Sequence, residues 1–158
     1  MKRYIKAKIT DVLDEDRYEL TEIAKNVVNP ADLDRLARVD MDDYMLCYEV
    51  ARNPNTELET LEYLMDSPAM YVRDAIARHR NVSVDLLRRL ADDSYGTVQF
   101  AVLTNPKVPK DIIEKLAHSD DASVQIEALK KLGYKITTDE FGHMHIDGEL
   151  LSDFRKHL

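Results

Sequence analysis

The sequence predicts a mainly α protein. It reads as an α-solenoid, a superhelical stack of alternating short helices, followed by a small C-terminal β-hairpin and helix. Three observations carry this. Leucines recur at Leu36, Leu64, Leu90 and Leu116, in steps of 28, 26 and 26, an interval that marks stacked supersecondary repeats. An apolar residue follows eight positions later in the pairs Leu64–Val72, Leu90–Val98 and Leu116–Val124, and more weakly as Tyr44 after Leu36. Only 4 glycines occur in 158 residues, against 44% hydrophobic residues, which disfavours a turn-rich all-β fold. The whole chain, 1–158, is expected to form one domain.

Residues 1–28 fit the repeat poorly and read as N-terminal capping helices. Tyr18, Leu20, Ile23, Ala24, Val27 and Val28 supply an apolar face, Thr10 and Thr21 are candidate helix starts, and the acidic run from Asp11 to Glu19 reads as a solvated face or loop. Residues 29–133 hold about four repeats. In the best of them Val72, Ala75, Ile76 and Ala77 line one helical face. Asn53-Pro54 and Asn105-Pro106 then mark the end of the first helix, because proline biases the residue before it away from helical angles; His79-Arg80 fills that slot in between. Ser83 is the candidate N-cap of the second helix and Asp85 suits its first turn, with Pro109 at the matching place one repeat later. Leu86, Leu87 and Leu90 form the buried stripe. The polar runs 92–94 and 119–121 separate repeats. The first repeat carries two extra residues, and its Cys47 aligns with Ala75 and Ala101 at a small packing position. Short helix pairs cannot bury their apolar faces alone, so neighbours must stack.

After Lys130 and Lys131, Gly133 has the position of a helix C-cap. The segment 134–158 changes texture. Tyr134, Ile136 and Thr138 alternate with Lys135 and Thr137, and Met144 and Ile146 alternate with His143 and His145, which predicts a β-hairpin turning at Asp139–Gly142. Glu149–Leu158 reads as a final helix with Leu150, Leu151 and Phe154 on one face.

The order V-R-x-A-x-A, an Asn-Pro step, then L-L-x-x-L-A-x-D is best seen in Val72–Ala77 and Leu86–Asp92. It resembles the leucine-rich repeat variant family, a relative of HEAT-type α-solenoids, over residues 29–133. The resemblance implies a right-handed stack of helices and a binding scaffold with no chemistry of its own. Some members carry an added cysteine cluster for iron–sulfur, and this chain has Cys47 alone. The wider HEAT-like group includes alkylpurine DNA glycosylases, so the alternative reading is a nucleic-acid-binding, glycosylase-like protein. The absence of tryptophan, the net charge of −8 and the short chain weigh against it.

Composition narrows the remaining classes. One cysteine permits no intrachain disulfide, cysteine-based zinc site or iron–sulfur cluster. The first ten residues lack the apolar core of a signal peptide and no run of about 18 apolar residues occurs, so a cytoplasmic protein is expected. No Walker A, G-x-G-x-x-G, G-x-S-x-G or H-E-x-x-H motif is present, and the expectation is a non-enzyme without cofactor or metal. Cys47 reads as a core residue. His143 and His145 share a strand face and could begin a metal site with Asp139, Asp147 or Glu149, although an exposed hairpin face is the simpler reading.

A local charge reversal is more informative. Between Arg73 and Leu90 lie Arg73, Arg78, Arg80, Arg88 and Arg89 against Asp74 and Asp85, a balance of +3 within a chain of −8. Arginines without lysine fit planar, bidentate or stacked contacts with carboxylate, phosphate or an acidic peptide; the simpler reading pairs them with Asp66, Asp92 and Asp93. The position after the aligned apolar residue is Met45, Arg73, Gln99 and Gln125, and the one before the Asn-Pro slot is Arg52, Arg78 and Thr104. Equivalent positions of stacked repeats form ridges. Arg52, Arg73, Arg78, Gln99 and Gln125 are therefore the expected contacts to a protein or peptide partner.

Overall fold

The structure is a computed structural model that describes residues 17–140, 143–146 and, as backbone, 149–150. The protein is mainly helical. Among the described residues the helices are α1 (Arg17–Asn26), α2 (Pro30–Ala37), α3 (Tyr44–Arg52), α4 (Leu58–Leu64), α5 (Met70–Arg78), α6 (Val84–Leu90), α7 (Gly96–Thr104), α8 (Lys110–Leu116) and α9 (Ala122–Lys131). Three short strands follow: β1 (Ile136–Thr138), β2 (Met144–Ile146) and β3 (Glu149–Leu150).

The helix starts make the repeat regular where it was expected to be approximate. The longer helices α3, α5, α7 and α9 begin at Tyr44, Met70, Gly96 and Ala122, with the same step each time. Leu36, Leu64, Leu90 and Leu116 each occupy the seventh position of α2, α4, α6 and α8 and are almost wholly buried, each contributing about 2 kcal/mol by leaving water.

The extra residues of the first repeat lie ahead of α3. Leu36 is therefore followed at ten residues by Leu46, which is 1% exposed and stands where Val72, Val98 and Val124 stand. Tyr44, the expected equivalent, is 55% exposed. Cys47 shifts likewise: its helical equivalents are Arg73, Gln99 and Gln125 instead of Ala75 and Ala101. Period counting missed this because it aligned Tyr44 in place of Leu46 and so placed the insertion too late, after Cys47 instead of ahead of α3.

Capping follows the sequence. The Asn29 side chain accepts from Ala31 N at 3.2 Å ahead of Pro30, Asp43 from Leu46 N at 3.1 Å, and Ser83 from Leu86 N at 3.2 Å; each satisfies an orphan donor of a helix start. Gly133 has φ +96° and Tyr134 N donates to Leu129 O at 3.0 Å, the closing bond of a Schellman C-cap. Thr21 is not a helix start. It lies inside α1, where its hydroxyl donates to Arg17 O at 3.0 Å.

The chain forms two compact units, Met1–Leu86 and Leu87–Leu158, with the boundary inside α6. In the first, α1 packs on α3, α3 on α5, and α2 and α4 cover them. In the second, α9 packs on α7 and α8, and β1, β2 and β3 form an antiparallel sheet in that order. The hairpin register pairs Ile136 with Ile146 and Thr138 with Met144. Glu149 and Leu150 pair with β2 as a third strand, not as the start of a helix, since the free edge of β2 gives their backbone partners. Thr10, Asp11–Asp16, Phe141, Gly142, Asp147 and 151–158 lie outside the described residues, so the cap expected there is not described.

Candidate partner-binding site

The residue that closes the longer helices α3, α5 and α7 is the centre of the local chemistry. Asn53, His79 and Asn105 recur once per repeat, leave the helix with extended ψ of 124°, 138° and 129°, and are all at most 5% exposed. Each side chain accepts from the backbone N–H two residues on: Asn55 N to Asn53 Oδ1 at 2.9 Å, Asn81 N to His79 Nδ1 at 3.0 Å and Lys107 N to Asn105 Oδ1 at 2.9 Å. These are Asx-type turns, in which imidazole replaces the amide. The same residues tie the first unit together. Asn53 Nδ2 donates to Ala24 O at 2.7 Å and Val27 O at 2.9 Å. His79 Nε2 lies 2.9 Å from Asn53 O, and Asn81 Nδ2 donates to Thr56 O at 2.8 Å. A buried carbonyl is costly unless bonded, so these polar groups fix the stacking register of successive helices. The slot was expected only to end helices. The recurrence of a polar residue at the same place in each repeat was the sign of its second task.

The groove beside this slot in the first unit has a volume of about 290 Å³ and is lined by Tyr48, Arg52, Pro54, Asp74, Ala75, Arg78, His79 and Arg80. Arg78 Nε and Nη2 grip Asp74 Oδ2 and Oδ1 at 2.9 and 3.0 Å, a bidentate pair whose hydrogen bond raises the basicity of Arg78 further. The Arg52 guanidinium sits 5.2 Å from the Tyr48 ring centroid, within cation–π range, and 3.8 Å from Glu49. Arg80 Nε donates to Pro54 O at 3.1 Å. Three guanidiniums thus share an open groove with one lining carboxylate. Arg80 was not among the expected contacts. It stands where Pro54 and Pro106 stand in the neighbouring repeats, and a charge replacing a proline was the available signal.

The five expected contacts divide. Arg52 and Arg78 line this groove. Arg73 instead donates from Nη1 to Ser67 O at 2.7 Å and Pro68 O at 3.0 Å, holding the loop ahead of α5. Gln99 does the same one repeat later, with Nε2 to Asp93 O at 2.8 Å, while its Oε1 accepts from the Ser119 hydroxyl at 2.7 Å. Gln125 is 2% exposed. Cys47 belongs to this loop-holding row through its thiol contacts with Asp40 O and Met41 O at 3.5 and 3.8 Å.

Two smaller expectations resolve locally. The Asp139 Oδ2 atom lies 3.1 Å from both His143 Nδ1 and His145 Nε2, so the histidines do share a face. Among the described residues no group of three or more His, Cys, Asp or Glu side chains has the arrangement to hold a metal. Burial pushes the Cys47 thiol up to about 11. Arg88 pairs with Asp111 at 2.7 Å, an intramolecular partner other than the expected Asp66, Asp92 and Asp93. Among the described residues no helix is long and apolar enough to cross a membrane.

Compared with protein-family models, curated proteins and solved structures, the chain matches none.

Proposed function

We propose that this protein is a small non-catalytic α-solenoid scaffold of the leucine-rich repeat variant or HEAT-like kind, which binds a protein or peptide through the arginine groove of its first unit. One observation carries the reading. Arg52 and Arg78 hold the same helical position on the packed helices α3 and α5, one repeat apart, and open with Arg80 onto one groove in a chain of net charge −8. A local concentration of arginine against the overall charge favours an acidic surface on the partner. Arg73 and Gln99 serve the scaffold by bracing the loops that precede their helices, and Gln125 is buried. The test is affinity capture with the wild type and the R52E/R78E variant, followed by identification of the retained protein and reconstitution with it in purified form. Loss of binding in the variant supports the reading. Unchanged binding removes this surface from it, and a salt-sensitive shift of duplex DNA in place of protein binding would favour the nucleic-acid alternative.

A further inference from the structure

Resting on that reading, we infer that the groove receives the carboxylate side chain of a glutamate or aspartate in an extended acidic peptide, with Arg52 and Arg80 as its binding donors. The donor inventory points there first. A guanidinium has five N–H donors. Arg80 spends Nε on Pro54 O, and Arg52 stands 3.8 Å from Glu49, beyond hydrogen-bond length. Both therefore keep donors for a ligand.

Both are also held in place before a ligand arrives. The Pro54 carbonyl fixes Arg80 and the Tyr48 ring backs Arg52. Restraint of long side chains in advance lowers the ordering cost of binding. The space of about 290 Å³ lies at the small end for a ligand pocket and suits one side chain of a peptide better than a bulky cofactor. Tyr48 and Pro54 offer apolar walls for its methylene stem.

The groove already holds one contact of this kind. Arg78 grips the Asp74 carboxylate in a bidentate pair, and a carboxylate from a partner would meet Arg52 and Arg80 through the same planar, charge-assisted geometry.

The experiment is fluorescence anisotropy on the full chain with three labelled peptides. One alternates glutamate with leucine, the second has glutamine for each glutamate, and the third has phosphoserine. The glutamate peptide is expected to bind about tenfold more tightly than the glutamine peptide, the difference made by one charge-assisted pair. R52A and R80A should each remove most of that preference, whereas R88A, whose partner is Asp111, should keep it. Circular dichroism checks that the variants fold. If the glutamine peptide binds equally well, or R52A and R80A both leave the preference intact, the carboxylate assignment fails while peptide binding stands. Tighter binding of the phosphoserine peptide overturns the choice of a carboxylate. If none of the three binds while the identified partner still requires Arg52 and Arg78, the acidic-peptide inference alone is wrong; if neither peptide nor partner needs those arginines, the proposed function falls with it.

Discussion

His79 Nε2 lies 2.9 Å from the carbonyl oxygen of Asn53, one repeat earlier in the chain, while His79 Nδ1 accepts from Asn81 N at 3.0 Å. With Nδ1 accepting, Nε2 is the nitrogen that carries the proton and donates to the carbonyl. One buried ring thus closes a turn and joins two repeats, the work done by the Asn53 amide against Ala24 and Val27.

The first prediction follows. H79N places in this slot the residue found at positions 53 and 105, and should stay within about 1 kcal/mol of wild type. H79A removes both bonds of the ring and empties a buried position, and should cost about 1–3 kcal/mol, as should N53A. Urea unfolding monitored by circular dichroism measures all three. Equal losses for H79N and H79A would show that the turn and the carbonyl bond contribute little.

Gly96 opens α7, and a Cβ built on it would lie 2.0 Å from Asp121 Oδ2. Asp121 cannot move freely, because its Oδ1 caps α9 by accepting from Ser123 N at 2.9 Å and Val124 N at 3.2 Å. Glycine to alanine in a helix ordinarily stabilises. Here G96A should instead destabilise by about 1–2 kcal/mol, the worth of a lost cap. A double-mutant cycle with D121A checks the cause: once the cap is already gone, G96A should cost much less.

The Cys47 thiol is buried, and burial followed by the nearby Asp43, Asp40 and Asp42 carboxylates raises its pKa to about 11. An unfolded thiol titrates near 8.5. The folded state therefore holds the proton longer, and this stabilising contribution is complete below about pH 8.5 and lost as pH rises toward 11. Cys47 should react with a thiol reagent at pH 8 at least about 100-fold more slowly in native protein than in urea, because only a small fraction is thiolate and the sulfur is covered. Rapid labelling of the native protein would contradict its placement.

Asp34 accepts from Arg38 Nε at 2.9 Å and from the Thr60 hydroxyl at 3.1 Å. The Arg38 hydrogen bond, aided by Thr60, holds its pKa below the ordinary carboxylate value. A depressed folded pKa contributes stability that is present above the unfolded value, near 3.9, and disappears as pH falls through the folded one. D34N should therefore lose part of the wild type's stability at pH 7 and little below pH 3. A urea-midpoint series across that range checks it, and parallel curves for the two proteins would rule out the coupling.

Much of the fold was legible because its causes are local. Leucine spacing, the Ser83 cap, the Gly133 stop and the alternation in β1 and β2 depend on residues a few positions apart. The first repeat was misaligned because Tyr44 is apolar enough to stand in for Leu46 in a pattern of hydrophobicity, and only burial separates them. At the candidate site Arg52 and Arg78 were legible from their spacing. Arg80 was not, since its place in the groove depends on the Pro54 carbonyl of the preceding repeat. Arg73 and Gln99 hold the same position in α5 and α7, but their side chains reach back to Ser67 O and Asp93 O.

By itself, then, the sequence determined the helix pairs, their repeat period and the residues that leave water, because periodic hydrophobicity and capping act within a turn or two of the backbone. The tertiary structure decided which carbonyl each buried polar side chain meets, which arginines share a groove and why Gly96 faces Asp121. Those depend on the stacking register of helices a full repeat apart, and hydrogen bonds of about 3 Å are sensitive to that register in a way that a hydrophobic stripe is not.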